Sequence, residues 1–469
     1  MLQFLRKRKW SQKYSKQMIW EVISLSWPAF IELVMSTLFS MIDMIMVGRL
    51  NSAAITAVGL TTQPFMVLLA IFSAVNVGTT TIVAWNIGAG NTKKANEVAR
   101  QSIILNFIMG IIISTIGVFM AHDIVVFMGA EADTVKDATV YFQIVSAGLV
   151  FQAVNMGVTA ALRGAGETTI PMIYNVGSNL FNVLGNYLLI FGKLGLPKLG
   201  VAGAAISTSV SRFLACVVGL CVVFFLKWSA ISIRLKGSYR INFDIAREIF
   251  SIGLPSAMEQ FVVQGGLMMF ARTVSSLGTV TFAAHQIGLS ICGLTFSPSM
   301  AFGVAGTTLV GQSLGANDEE RAKRYADIIH HMAIAVACFM GLMFILFSYP
   351  LACLYTEDLK VAAMASIVLK IMALAQPGQS TQLSLAGVLR GAGDTMFPLY
   401  SSIAGIWGFR VVVAYIFVSV FRWGLIGAWV ALVLDQYTRA AIVYFRYASG
   451  KWKYVKARNQ EVEKMRACS

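Results

Sequence analysis

Acid is what this sequence has least of. Asp and Glu together number 22 in 469 residues against 37 Lys and Arg, and charged residues make up only 13% of the chain. Soluble domains carry about a quarter charged residues. With 57% hydrophobic residues and a mean hydropathy of +0.71, a water-soluble globular protein is excluded and lipid is the expected solvent. Cysteine is also scarce. The six (Cys216, Cys221, Cys292, Cys338, Cys353 and Cys468) show no CxxC spacing and mostly fall inside apolar runs, so they exclude a disulfide framework and a zinc site and read as small core residues. Histidine numbers four, and the adjacent His330 and His331 have no metal-ligand partner nearby. Neither a Ser/His/Asp order nor HExxH appears, which speaks against an intramembrane enzyme, and without a GxxxxGK[ST] loop ATP is not the direct energy source. The net charge of +15 does not imply nucleic acid, because a binder of that kind gathers its basic residues on one continuous face. Here they sit between apolar runs.

What the sequence does have is length of apolar run. A spanning helix needs about 20 mostly apolar residues. Twelve such stretches lie near 20–48, 57–86, 98–121, 137–161, 169–192, 201–226, 247–275, 281–312, 325–350, 361–387, 396–419 and 425–446. A barrel would show roughly ten-residue segments of alternating polarity, so the class is an all-α membrane protein. The first stretch is too long for a signal peptide and shows no clear cleavage site, so it is expected to stay attached.

Cytoplasmic loops collect Lys and Arg. With an even number of spans both termini share a side, and placing that side in the cytoplasm puts 26 of the 37 basic residues there. The expected location is the plasma membrane, with both termini cytoplasmic. The expected division is a tail over 1–19, an N-terminal lobe over 20–226, a connector over 227–246, a C-terminal lobe over 247–446 and a basic tail over 447–469.

Sliding the sequence along itself reveals a repeat at an offset of 227 residues. Pro28 meets Pro255, Glu32 meets Glu259, and Thr80, Thr81, Val83 and Gly88 meet Thr307, Thr308, Val310 and Gly315. LRGAGETTIP from Leu162 lies over LRGAGDTMFP from Leu389, and after a three-residue shift Gly200 and Gly203 meet Gly424 and Gly427. Six helices return the chain to the side where it began. The repeat is therefore parallel, two six-helix bundles in the same sense, a geometry suited to alternating access.

These blocks carry a family resemblance. DMIMVGRL from Asp43, LRGAGET from Leu162, NVLGNYLLIFG from Asn182, GVAGAAIST from Gly200, GLPSAMEQ from Gly253, LGTVTFAAHQIG from Leu277 and GTTLVGQSLGA from Gly306 together resemble the multidrug and toxic compound extrusion (MATE) family over nearly the whole chain. The resemblance implies two six-helix lobes around a V-shaped cleft. It implies secondary active multidrug efflux, with small organic, often cationic, compounds antiported against H⁺ or Na⁺ by a protein acting as a monomer with no other cofactor. A lipid or lipid-linked precursor flippase of related architecture is the competing function, for which the cleft would need basic residues.

An ionisable residue in a span is by default a functional candidate. Asp43 matches the acid the family uses for ion coupling, and the alternative is a structural pair with Arg49. The family pattern gathers Asn155, Asn182, Asn186 and Thr208 around it, with Asp43, Asn182 and Asn186 as oxygen donors for a Na⁺. Where some members carry a second acid in the fifth helix this chain has Asn186, which puts a two-carboxylate relay in doubt. Interhelical bonding is the competing role for each amide.

Glu32 and Glu259 hold equivalent places four residues after a proline expected to mark an interrupted or kinked helix start, so a shared structural job competes with attraction of cationic substrates. Gln264, His285 and Gln286 complete the candidate substrate set, with packing as the alternative for His285. Arg272, Lys370 and Arg410 each need a partner within the bilayer. Asp435 and Arg439, at i, i+4 spacing, are expected to neutralise one another. The two LRGAG blocks read as tight turns, with Arg163 and Arg390 anchoring them to headgroups or helix C-termini.

Overall fold

The computed structural model describes residues 15–50, 52–131, 134–226, 230–233, 240–356 and 358–456. The outer parts of both expected tails, including Cys468, and Lys227, Arg234 and Lys236 of the connector lie outside the described residues. Among the described residues the chain is helical throughout with no strand.

In chain order the helices are α1 Lys16–Gly48, α2 Ser52–Gly88, α3 Thr92–Phe119, α4 Ala121–Phe127, α5 Val135–Ala147, α6 Leu149–Ala165, α7 Thr169–Phe191 and α8 Gly200–Phe224. They continue as α9 Phe243–Ser275, α10 Thr279–Gly315, α11 Glu319–Cys353, α12 Leu359–Gly391, α13 Met396–Ser402 and α14 Gly424–Ala448. From α13 the same rod runs on as π-helical turns over Ile403–Val413 and Ile416–Val420. With α5 and α6 as one span bent by 42° at Gly148, and the α13 rod as another, each of the twelve expected spans has its helix; α4 is a short addition.

Among the described residues nine helices are long and apolar enough to cross a membrane, ten with the bent pair. The two further expected spans, α7 and α9, do not reach that measure. Asn175, Asn179, Asn182 and Asn186 line up along α7, and α9 carries Asp244, Arg247, Glu248, Glu259 and Arg272. Those residues are the ones from which the sites below are built.

The chain divides into two compact units, Ile31–Ala257 and Met258–Ser469 with Met1–Phe30. Their edges differ from the expected lobes, because the boundaries fall inside α1 and α9 rather than in loops. Pro28 and Pro255 lie just before these boundaries and inside continuous helices, not at helix starts. A proline there removes one intrahelical hydrogen bond.

In the Ile31–Ala257 unit, Ile245, Ala246, Ile249 and Ile252 of α9 join Val75, Ile82 and Val83 of α2 in one buried cluster. Gly253 lies against the backbone of Ala74 and Gly78 against that of Ile249, so closely that a Cβ at either glycine would overlap a carbonyl oxygen. Lipid tails are as apolar as Leu, so close backbone approach replaces the hydrophobic effect as the source of helix packing. The other unit shows the counterpart, with Val22 and Leu25 of α1 packed among Phe302, Leu309 and Ile329.

The LRGAG blocks, expected to be tight turns, are mostly helical: Leu162–Ala165 end α6 and Leu389–Gly391 end α12, and only the last residues of each block lie in the turn. α6 ends with Gly166 left-handed at φ 95°, and α12 is followed by Gly393 at φ 82°. Cys216 and Cys292 are buried as expected, whereas Cys338 and Cys353 are exposed.

Candidate ion-coupling and substrate site

Asp43 lies on the last turns of α1, partly buried. Asn186 donates from Nδ2 to its Oδ1 over 2.7 Å. Asn182, one turn earlier on α7, is oriented by its neighbours: with its amide nitrogen toward Asp43 it donates to Oδ1 at 3.1 Å and Oδ2 at 2.9 Å. Its oxygen then accepts from the hydroxyl of Thr208 at 3.3 Å and from the Thr208 backbone N–H at 3.1 Å. Both asparagines are buried, and Ser207 ties α8 to α7 by donating to the Asn182 carbonyl at 2.8 Å.

The carboxylate is thus held as an acceptor of amide N–H groups, an arrangement that fits its ionised form. Of the expected cluster, Asn182, Asn186 and Thr208 meet at Asp43. Asn155 does not; it donates to Asn175 Oδ1 at 3.0 Å and belongs to a separate network.

One member of the site was missed in the sequence. Arg212, four residues after Thr208 on α8, lies within electrostatic reach of Asp43 and of Tyr141, with its guanidinium 4.6 Å from the ring centroid of Phe65. A cation inside an apolar run was the available signal. Arg49 is exposed and makes no ion pair with Asp43 among the described residues.

The separate network centres on Glu32. Arg163 donates to Oε2 at 2.8 Å and Asn175 to Oε1 at 2.7 Å. In the other unit Arg390 donates to Oε2 of Glu259 at 2.7 Å and Ser402 to Oε1 at 3.3 Å. Each residue of the second triad stands 227 positions after its counterpart in the first. The expectation that Arg163 and Arg390 reach headgroups or helix ends is therefore corrected, since both point inward to a carboxylate. Glu259, only 3% exposed, has its charge matched by Arg390, so neither glutamate is an isolated anion facing a cationic solute.

The remaining candidates share no side-chain hydrogen bond among the described residues. Gln286 is exposed and Gln264 half-buried. His285 is buried against the rings of Phe270, Phe282 and Trp429 at 5.6–5.9 Å, with no hydrogen-bond partner for either ring nitrogen among the described residues, so it packs rather than lines an open site. Asp435, expected to neutralise Arg439, makes no ion pair with it among the described residues. It pairs with Arg410 at 2.6 Å, both being buried.

No group of three or more His, Cys, Asp and Glu gathers as a metal site among the described residues. The oxygens available to a Na⁺ at Asp43 are one carboxylate and neutral amide or hydroxyl groups.

A family model described as MatE matches residues 28–188 and, a second time, residues 255–416. The chain belongs to the MATE family. The double match falls on the two copies of the internal repeat.

A relative from Thermotoga maritima named "Probable multidrug resistance protein NorM" is 32% identical over 433 residues, covering 92% of this chain and 93% of the relative. The uncharacterized transporter YisQ of Bacillus subtilis is 29% identical over 433 residues, 92% and 94% of the two chains. Among solved structures, a MOP superfamily transporter from Pyrococcus furiosus superposes with a TM-score of 0.87 at 23% identity, over 94% of this chain and 97% of that one. A MATE family multidrug resistance transporter in an outward-facing conformation gives 0.86 at 24%, over 92% and 97%. These likenesses establish the MATE fold, and the family makes the chain a multi-span membrane transporter rather than an enzyme.

Proposed function

We propose that this MATE transporter exports small organic, often cationic, compounds across the plasma membrane by alternating access, in exchange for protons taken up at Asp43. It does so as a monomer with both termini cytoplasmic. The observation that carries the reading is Asp43 itself, a carboxylate inside a span whose oxygens are engaged by Asn182 and Asn186 on α7. The name of the Thermotoga maritima relative supports the substrate class.

The ionised carboxylate holds the two amides and attracts Arg212. Protonation turns one oxygen from acceptor to donor and removes the charge, so the contacts binding α1 to α7 and α8 must rearrange, and that change is the coupling step. Arg212 favours the proton over sodium as the coupling ion. A bound Na⁺ would keep its full charge facing the guanidinium, whereas a proton cancels the carboxylate charge at its source.

The test is efflux of ethidium or a fluoroquinolone from cells expressing the chain, with and without a Na⁺ gradient. Efflux that follows the proton gradient supports the reading, and efflux that needs Na⁺ replaces the proton with sodium. Movement of lipid precursors without any organic cation would put a flippase in its place.

A further inference from the structure

The second unit, Met258–Ser469 with Met1–Phe30, holds a cation for which the proposed cycle has no use. Arg439 sits mid-way along α14 and is 8% exposed. Its i, i+4 neighbour Asp435 is taken by Arg410 at 2.6 Å, and among the described residues Arg439 makes neither an ion pair nor a hydrogen bond; its buried Nε has no partner. The charged groups within electrostatic reach of it are Asp435, Arg410, Glu259 and Arg390. Two carboxylates therefore stand against three guanidinium groups, its own included. An unpaired guanidinium inside a span is costly, so it calls for a partner.

Two further features mark this point. Gly405, on the rod that follows α13, lies where a Cβ would overlap both the side-chain stem of Arg439 and the carboxylate of Asp435. Around it the backbone leaves the α-helix for eleven π-helical residues, Ile403–Val413, which carry Gly405 and Arg410 together. Stretches of this kind are rare and concentrate at functional sites.

The repeat sharpens the contrast. The position equivalent to Asp43 is Phe270, whose ring lies 5.9 Å from the guanidinium carbon of Arg410. Where one unit places an acid, the other places an aromatic ring beside an excess of guanidinium.

We infer that Arg439, seated against Gly405, binds a small monovalent anion, a halide or a carboxylate, within the second unit. The anion supplies the missing negative charge. It comes either from the medium, as chloride, or from a transported solute that bears a carboxylate. The site does not depend on the coupling role of Asp43.

The experiment is thermal unfolding of the purified full-length chain in detergent, in the sodium salts of chloride, acetate and isethionate at equal ionic strength, so that the cation is constant. Wild type is expected to melt about 2–4 °C higher in chloride or acetate than in bulky isethionate. A response to chloride alone identifies the halide, and a response to acetate alone identifies the carboxylate. Arg439→Gln should abolish the difference between the salts. Arg439→Lys, which keeps a cation on the same helix turn, should need at least a tenfold higher anion concentration for half the shift. An anion response identical in wild type and Arg439→Lys, an undiminished response in Arg439→Gln, or no response in wild type to either anion overturns the inference.

Discussion

Asn186 of α7 donates a 2.7 Å hydrogen bond to Asp43 of α1, 143 positions earlier in the sequence. Asn186→Leu removes that donor while keeping an apolar volume in the span. Proton-driven efflux should drop at least tenfold with the protein still reaching the membrane, measured as initial ethidium efflux normalised to transporter abundance. Efflux unchanged in that variant would mean that the contact has no part in coupling.

The Glu259 and Arg390 pair makes a separate statement, about stability. Removing one partner of a buried ion pair strands the other, at a cost of about 3–5 kcal/mol. Arg390→Ala should therefore unfold several degrees lower than wild type. Glu259→Gln, in contrast, should leave the KM for cationic substrates within twofold in whatever protein folds. A tenfold rise in that KM without loss of stability would return Glu259 to the substrate site.

Close packing of α9 on α2 predicts a steric effect. Any side chain at Gly253 overlaps the Ala74 carbonyl. Gly253→Val should fail to accumulate in the membrane, whereas Gly59→Val, at a glycine with open space around it, should accumulate normally. Quantitative immunoblots of membrane fractions compare the two.

Asp394 follows the α12 turn and pairs with Arg446 at 2.6 Å. Burial pushes its carboxyl above the ordinary carboxylate range, and Arg446 pulls it part of the way back. A carboxyl raised in this way binds more protons folded than unfolded. Its contribution thus falls as pH rises from the ordinary carboxylate value through the raised one, and is flat above. Asp394→Asn should remove that slope from the melting temperature measured between about pH 4 and 7. An unaltered slope would show that Asp394 does not titrate in that window.

The twelve helices and the repeat could be read from the sequence because both rest on signals that run along the chain, apolar length and recurrence at a fixed offset. The Asp43 cluster was legible on another ground, the family resemblance, which supplied Asn182, Asn186 and Thr208, while spacing added only that the two asparagines share a helix face. What could not be read was which of several geometrically allowed partners a buried group selects. Spacing made Arg439 available to Asp435, yet the π-helical turns bring Arg410 in from another element and Asp435 pairs there instead. Asn155 went the same way, toward Asn175 and the Glu32 network. The boundaries of the two units were hidden too, because α1 and α9 run through them without a break in hydropathy. Arg212 was visible as a charge in a span, but nothing in the linear sequence tied it to Asp43.

The most direct test of the account is made in proteoliposomes holding purified transporter and a pH-sensitive dye, with an organic cation as the transported solute. Wild type should move protons and the cation in opposite directions at rates that rise together, and Asp43→Asn should abolish both fluxes. An Asp43→Asn transporter that exchanges protons for the cation at the wild-type rate would contradict the assignment of Asp43 as the coupling group.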